Sequence, residues 1–327
     1  MFRFLAPVAL IIALHALASN FLDQRSTAAI LTPGNTPIPQ PSRMQTEQDA
    51  AINALPADHY VYKQQTPVKL NTPIRSLDYN MNHQNRGYCL IFDIETFHPS
   101  RKLPRRHGSE VDSTGLHNLF RSMSFEVMDF KNLTAREIRD QLVHYARKVD
   151  HTDNDCFAVC MLSHGEHGQL WGSDTKFPIE MLFNFFLGDS CPSLVGKPKL
   201  FFIQACQGER LDHGVPVIGN DSLDSTAAYF KIPSHADFLI AYSTLPGFYS
   251  WRNTQEGSWF MQAIIRVINE FHHELDLLSM LTIVNHRVAY YKCSNASSAE
   301  FNNMKQVPCI TSMLTRRVFL KPKQIRL

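Results

Sequence analysis

Two residues whose types could together do nucleophilic chemistry stand just after apolar runs. The run ending at Leu162 passes into Ser163-His164-Gly165, and the run Leu200 to Ile203 passes into Gln204-Ala205-Cys206-Gln207-Gly208. A thiol beside an imidazole is the minimum for cysteine catalysis: the thiolate attacks, and the imidazole carries the proton to the leaving amine. The two are distant in sequence, so the fold must bring them together. If both runs are neighbouring parallel strands of an open α/β sheet, His164 and Cys206 emerge on one carboxyl rim, where sites in such sheets gather. Drawn blind from seven cysteines and fifteen histidines, such a pair is more often a core cysteine and a loop histidine. The neighbouring residues decide between these readings.

Gln204-Ala205-Cys206-Gln207-Gly208 fits the known caspase pentapeptide, which has its histidine some distance upstream. Other segments extend the likeness. Arg106-His107-Gly108-Ser109-Glu110-Val111-Asp112 is similar to the caspase segment holding the first specificity arginine, and Ser163-His164-Gly165-Glu166 resembles the histidine loop. The stretch from Ala241 through Ser250-Trp251-Arg252-Asn253 resembles the small subunit's share of the substrate groove. Gly257-Ser258-Trp259-Phe260 and Gln306-Val307-Pro308-Cys309 also look like small-subunit segments. The resemblance runs in order from about Leu77 to Leu320, and ordered motifs are far more specific than one pentapeptide.

The resemblance implies a cysteine endopeptidase that cuts proteins after aspartate. Cys206 is then the nucleophile, His164 the acid–base partner, and the backbone N–H groups of Gly165 and Cys206 the oxyanion hole. Arg106, Gln204 and Arg252 would line the pocket for the substrate aspartate. A carboxylate removed from water needs cationic donors, and arginine presents them as a planar fork. Tyr249 and Trp251 would wall the second subsite. Trp259, partly buried, and Asn253 would contact the residue four places before the cut, and Ser250 would bind substrate backbone. In effector caspases the loop after the last long helix carries several phenylalanines; from Tyr291 to Phe301 only Phe301 fits, which leaves the outer subsite preference open. The rival reading is a non-catalytic relative that regulates an active caspase by dimerising with it. Loss of the nucleophile, the histidine or a pocket arginine would signal it, and none is lost.

The elements that must position these residues follow from hydrophobic pattern. Apolar runs predict buried strands at Gly87–Ile94, Cys156–Leu162, Lys199–Gln204 and Phe238–Tyr242, with a strand around Phe125 and Val127 and a last one near Val307–Leu314. Val111, Leu116, Leu119, Phe120 and Met123 recur at helical spacing. Thr134 and Glu137 form a capping box that opens a helix carrying Ile138, Leu142, Tyr145 and Val149. Further helices are expected over Pro178–Phe186, Gly257–His272 and Leu275–Tyr291. Strand–helix alternation argues for an α/β fold with a largely parallel sheet. The resemblance sharpens this to a caspase-like fold: a central, mostly parallel six-stranded sheet flanked by helices on both faces.

Composition sets limits. A net charge of +2 on 327 residues, with scattered lysines and arginines, gives no reason to expect nucleic acid or an anionic membrane as partner. Seven cysteines without a CxxC pair suggest neither a disulfide framework nor a structural zinc, and favour a reducing compartment. Cys89, Cys156, Cys160 and Cys309 lie in or beside apolar runs, as core residues do. His164-Gly-Glu-His167 lacks a third ligand and is discounted as a metal site; His272-His273 reads as a solvated helix end. No metal or other cofactor is implied. The N-terminus argues the other way on location. Arg3, the apolar run Phe4–Leu14 and Ala16-Leu17-Ala18 read like a signal peptide over residues 1–18. Cytoplasmic residence is the expectation, with the secretory pathway as the alternative; Asn132, Asn220 and Asn295 lie in sequons that decide nothing.

The expected organisation is a leader over residues 1–75, a large subunit over 76–221, and a small subunit over 222–327 that includes the start of the linker. Repeated prolines from Leu31 to Pro73 leave the leader unable to form a helical adaptor module. The resemblance therefore points to an effector-type proenzyme that forms a homodimer of large–small pairs, with an upstream activating caspase and inhibitor proteins as further partners. Cuts at aspartates in exposed segments would activate it. Asp221 and Asp224, each followed by serine, are the linker candidates; Asp212, close to the pentapeptide, is weaker. Asp49 and then Asp58 are the leader candidates.

Overall fold

The computed structural model describes residues 70, 72–208, 211, 234–295 and 298–323, all within the compact unit that begins at Gln48. The signal-like N-terminus, the expected cut sites Asp49, Asp58, Asp221 and Asp224, and the 221/222 boundary lie outside them.

Six strands form the central sheet: β1 (Tyr88–Asp93), β2 (Glu126–Lys131), β3 (Phe157–Leu162), β7 (Lys199–Gln204), β8 (Phe238–Tyr242) and β11 (Cys309–Ser312), in the order β11-β8-β7-β3-β1-β2. The first five in chain order run parallel, and β11 pairs antiparallel to β8 at one edge. Every residue of β3 and β7 is buried, as expected of parallel strands covered on both faces. Alternation then divides the apolar side chains between two cores. Ile91, Cys160, Phe202 and Ala241 face helices α1 (Ser109–Ser122), α3 (Trp259–Phe271) and α4 (Leu277–Tyr291). Phe92, Met161, Ile203 and Ile240 face α2 (Ala135–Arg147) and the segment around Phe177 and Phe186.

Local chemistry sets the helix ends. The Thr134 hydroxyl accepts from Glu137 N while the Glu137 carboxylate accepts from Thr134 N at 2.8 Å, so the capping box opens α2. Ser258 opens α3 by accepting from Met261 N at 3.3 Å, and Asp276 opens α4 by accepting from Leu278 N at 3.0 Å.

Four details differ from the sequence reading. Pro178–Phe186 is no continuous helix: Pro178 ends the short strand β6 (Lys176–Pro178), and two single turns follow, Ile179–Leu182 and Asn184–Phe186. Their apolar side chains reach the core without a long helix, which so short a segment nucleates poorly. Val111 is 39% exposed, on the outer side of the first turn of α1. His272 is buried, its Nδ1 2.8 Å from the Ile268 carbonyl, so only His273 is solvated. Cys309 is only half-buried because it lies on the edge strand. Two small sheets were not anticipated: β4 (Gly165–Glu166), β5 (Gln169–Trp171) and β6 make one, and β9 (Arg252–Asn253) with β10 (Gly257–Ser258) the other. Among the described residues no helix is long and apolar enough to cross a membrane.

Candidate active site

Leu162 lies opposite Gln204 in the β3–β7 ladder, and Ser163 N donates to Gln204 O at 3.1 Å beyond it. Both chains therefore leave the sheet on the same rim and carry His164 and Cys206 out side by side. The approach is so close that a side chain at Gly165 would sit 2.6 Å from the Cys206 carbonyl oxygen and 2.9 Å from Ala205 Cβ.

Each of the two residues is held by its surroundings. His164 Nε2 is 2.8 Å from the Pro104 carbonyl, which can only accept, so Nε2 is assigned the proton and Nδ1 keeps the free lone pair. The ring packs against Phe97, centroids 4.9 Å apart. Cys206 Sγ accepts from Ser250 N at 3.4 Å. The following loop is locked to the chain after β8: Gly247 N donates to Gln207 O at 2.8 Å, and Gln207 N to Phe248 O at 3.0 Å. A Cβ at Gly208 would lie 2.5 Å from Gly247 backbone.

Beside this pair lies a buried cationic site. Arg106 is fully buried. Its Nη1 donates to Ser109 Oγ at 2.7 Å and to the Ile94 carbonyl at 3.2 Å, while Nε and Nη2 have no hydrogen-bond partner among the described residues. Arg252, half-buried on β9, donates from Nε to the His107 carbonyl at 2.8 Å. Gln204 Nε2 donates to Ser250 Oγ at 2.7 Å, and its buried Oε1 has no partner among the described residues. Asp112, on α1, fixes the β9–β10 hairpin: its carboxylate accepts from Ser258 N through both oxygens, at 2.9 and 3.0 Å, and from Gln262 Nε2 at 3.0 Å.

The charges shape one another. Burial, with the Arg252 charge adding to it, pushes Arg106 down to about 9. That still leaves a guanidinium at neutral pH, one that an incoming anion would stabilise. Burial pushes the His164 imidazole down to about 4; the Pro104 carbonyl opposes this, and both arginines add to it. Burial raises the Cys206 thiol, while Ser250 N–H and the two guanidinium charges pull it back. The resting pair is therefore a neutral thiol and a neutral imidazole. Burial also raises Asp112, to about 6, against the hydrogen bonds from Gln262 and Ser258.

The expected groove residues form an aromatic run. Tyr249 and Trp251 have ring centroids 6.5 Å apart, Phe301 lies edge-on to both at 6.1 and 6.5 Å, and Trp259 stacks on Trp251 at 5.9 Å. Trp259, 8% exposed, is more enclosed than expected. Exposed Asn253 uses its side-chain oxygen to close its own turn, accepting from Gln255 N at 2.7 Å and Glu256 N at 3.0 Å. The sequence reading missed Pro104, Phe97, Asp93 and the role of Asp112. Ser109 and Asp112 were visible inside the arginine segment, but only the tertiary contacts show what they hold.

Comparison with known proteins agrees with this fold. The Peptidase C14 caspase-domain family model matches residues 86–319. Caspase-1 of Spodoptera frugiperda is 46% identical over 259 residues, covering 79% of this chain and 85% of that protein. Caspase drICE of Drosophila melanogaster is 45% identical, covering 79% and 76%; caspase-3 of Oryctolagus cuniculus is 41% identical, covering 74% and 86%. The crystal structure of the Spodoptera frugiperda caspase-1 superposes with a TM-score of 0.73 at 44% identity, over 79% of this chain and all of that one. The chain belongs to the caspase family, with that family's fold and its cysteine-type endopeptidase activity.

Proposed function

We propose that the chain is an effector-type caspase, a proenzyme activated by cuts at aspartate, that acts in apoptosis by cleaving proteins after aspartate, with Cys206 as nucleophile and His164 as its acid–base partner. The observation that carries the specificity is Arg106: a fully buried guanidinium whose Nε/Nη2 edge lacks a partner among the described residues, beside Arg252. Nε and Nη2 are the two donors that grip a carboxylate side-on, so a substrate aspartate would supply both acceptors. A substrate without it leaves the Nε/Nη2 edge of Arg106 buried without acceptors, so rejection is strong.

The steps follow from the assigned tautomer. Cys206 Sγ bonds to the carbonyl carbon after the substrate aspartate's Cα, and its proton passes to His164 Nδ1. The carbonyl oxygen becomes an oxyanion that accepts from Gly165 and Cys206 N–H. The C–N bond then breaks, the amine takes the proton from His164, and a thioester remains. Water attacks the thioester and gives a proton to His164, the C–S bond breaks, and the thiolate is reprotonated as the new carboxylate leaves. Tyr249, Trp251, Trp259, Asn253, Ser250 and Phe301 serve the outer subsites. Maturation uses Asp221 or Asp224 in the linker and Asp49 or Asp58 in the leader. The working form is a homodimer of large–small pairs in the cytoplasm.

The test is cleavage of a fluorogenic peptide ending in aspartate by the activated chain and by its Cys206→Ala variant. Complete loss in a folded variant is expected; activity within tenfold of the unaltered enzyme would place the nucleophile elsewhere. The linker assignment fails if Asp221→Ala with Asp224→Ala still yields the same two fragments and full activity.

A further inference from the structure

The back of the arginine site holds a resident carboxylate. Asp93 is the last residue of β1 and only 2% exposed. Its Oδ1 lies 3.8 Å from Arg106 Nη1 and accepts a short hydrogen bond from Ser109 Oγ. That hydroxyl in turn accepts from Arg106 Nη1 at 2.7 Å. Asp93, Ser109 and Arg106 thus form a buried chain in which each link fixes the next. The direction is set by charge: the carboxylate can only accept, so the hydroxyl proton points to Asp93 and its lone pair to the guanidinium. With the Ile94 carbonyl on the same nitrogen at 3.2 Å, Nη1 is fully used. The opposite edge, Nε and Nη2, is the one without partners among the described residues. Asp93 Oδ2 is likewise buried without a partner among the described residues, a costly state that a purely structural hydrogen bond does not require.

We propose that Asp93 and Ser109 are positioning residues for aspartate specificity: together they turn the Nε/Nη2 edge of Arg106 toward the substrate carboxylate and supply the counter-charge that keeps the guanidinium buried when no substrate is bound. The proposal rests on the assignment of Arg106 to the substrate pocket. Its two parts act in opposite directions on binding. Losing the hydroxyl leaves Nη1 held only by the longer bond to the Ile94 carbonyl and lets the guanidinium turn, which weakens the grip on the substrate. Losing only the carboxylate charge, with an acceptor kept for Ser109, leaves the orientation intact. It also removes a negative charge that repels the substrate's own.

Paired peptides differing only in aspartate or asparagine at the cut test this, read as kcat and KM separately in the activated enzyme. For Ser109→Ala the KM of the aspartate peptide should rise about tenfold or more, the scale of one hydrogen bond to a charged group, and the aspartate-to-asparagine preference should fall in parallel. For Asp93→Asn the KM of the aspartate peptide should fall several-fold, and the preference should widen. Opposite shifts in the two variants are not produced by general loosening of the fold. Thermal unfolding in parallel identifies folded variants; if Ser109→Ala does not fold, the Asp93→Asn shift decides alone. Unchanged KM and unchanged preference in folded variants overturn the proposal. Arg106→Ala separates the two levels. If it keeps full aspartate preference, the pocket assignment itself fails; if it loses that preference while Asp93→Asn and Ser109→Ala change nothing, only the positioning role fails.

Discussion

The resting state of the proposed Cys206–His164 pair makes a prediction that differs from a preformed ion pair. His164 is pushed down to about 4 and the Cys206 thiol is raised. An ordinary thiol is about 3% ionised at pH 7; Cys206, raised above that, is ionised less. The perturbation is pH, and the assay is the rate of alkylation of Cys206 by iodoacetamide, followed on its own peptide by mass spectrometry. This separates it from exposed Cys293 and half-buried Cys309. Only the thiolate reacts, so the rate should climb about tenfold per pH unit, near a hundredfold between pH 6 and 8. Arg106 and Arg252 both pull the thiol down, so Arg252→Ala should slow alkylation further at fixed pH. A rate already on a plateau below pH 7 would show a thiolate–imidazolium pair and refute the reasoning.

Three further outcomes follow. Because the folded His164 lies below the ordinary imidazole value of 6.5, the unfolded chain protonates first as pH falls. Its contribution should be lost between pH 6.5 and 4, on the order of 2 kcal/mol after allowing for partial exposure; a His164→Gln variant should show a flatter acid limb in urea denaturation. Gly257 has φ +86°, and a Cβ there would sit 2.4 Å from Asp112 Oδ1. Gly257→Ala should therefore cost about 2 kcal/mol or more and depress activity, because the displaced hairpin carries Arg252; unchanged melting and kcat/KM would contradict this. Thr134→Ala removes the capping box of α2 and should cost about 1 kcal/mol in urea unfolding.

What the sequence made legible follows from burial. β3 and β7 read as continuous apolar runs because both faces of each strand are covered, and the reactive residues stood out because they follow those runs directly. The α2 start was legible because a capping box is local chemistry. β4, β9 and β10 were not, since strands of two residues carry no period. The 178–186 segment misled because a cluster of apolar residues near helical spacing serves two turns on a core equally well. Cys206, His164, Arg106 and Arg252 came from motif resemblance. Asp93 could not, because it looks like any strand-ending aspartate until the fold brings Ser109 and Arg106 against it. Asp112 was visible in its motif, but its hold on Ser258 and Gln262 spans most of the domain's sequence.

The central claim is aspartate-directed cleavage through a buried arginine pocket. The measurement that tests it most directly is kcat/KM of the activated enzyme on two peptides identical except for aspartate or asparagine before the cut, with Cys206→Ala as the blank. The account predicts a difference of at least ~3 kcal/mol in transition-state binding, because the buried Nε/Nη2 edge of Arg106 loses its charged acceptor and Arg252 the anion beside it. Equal rates on the two peptides would contradict it.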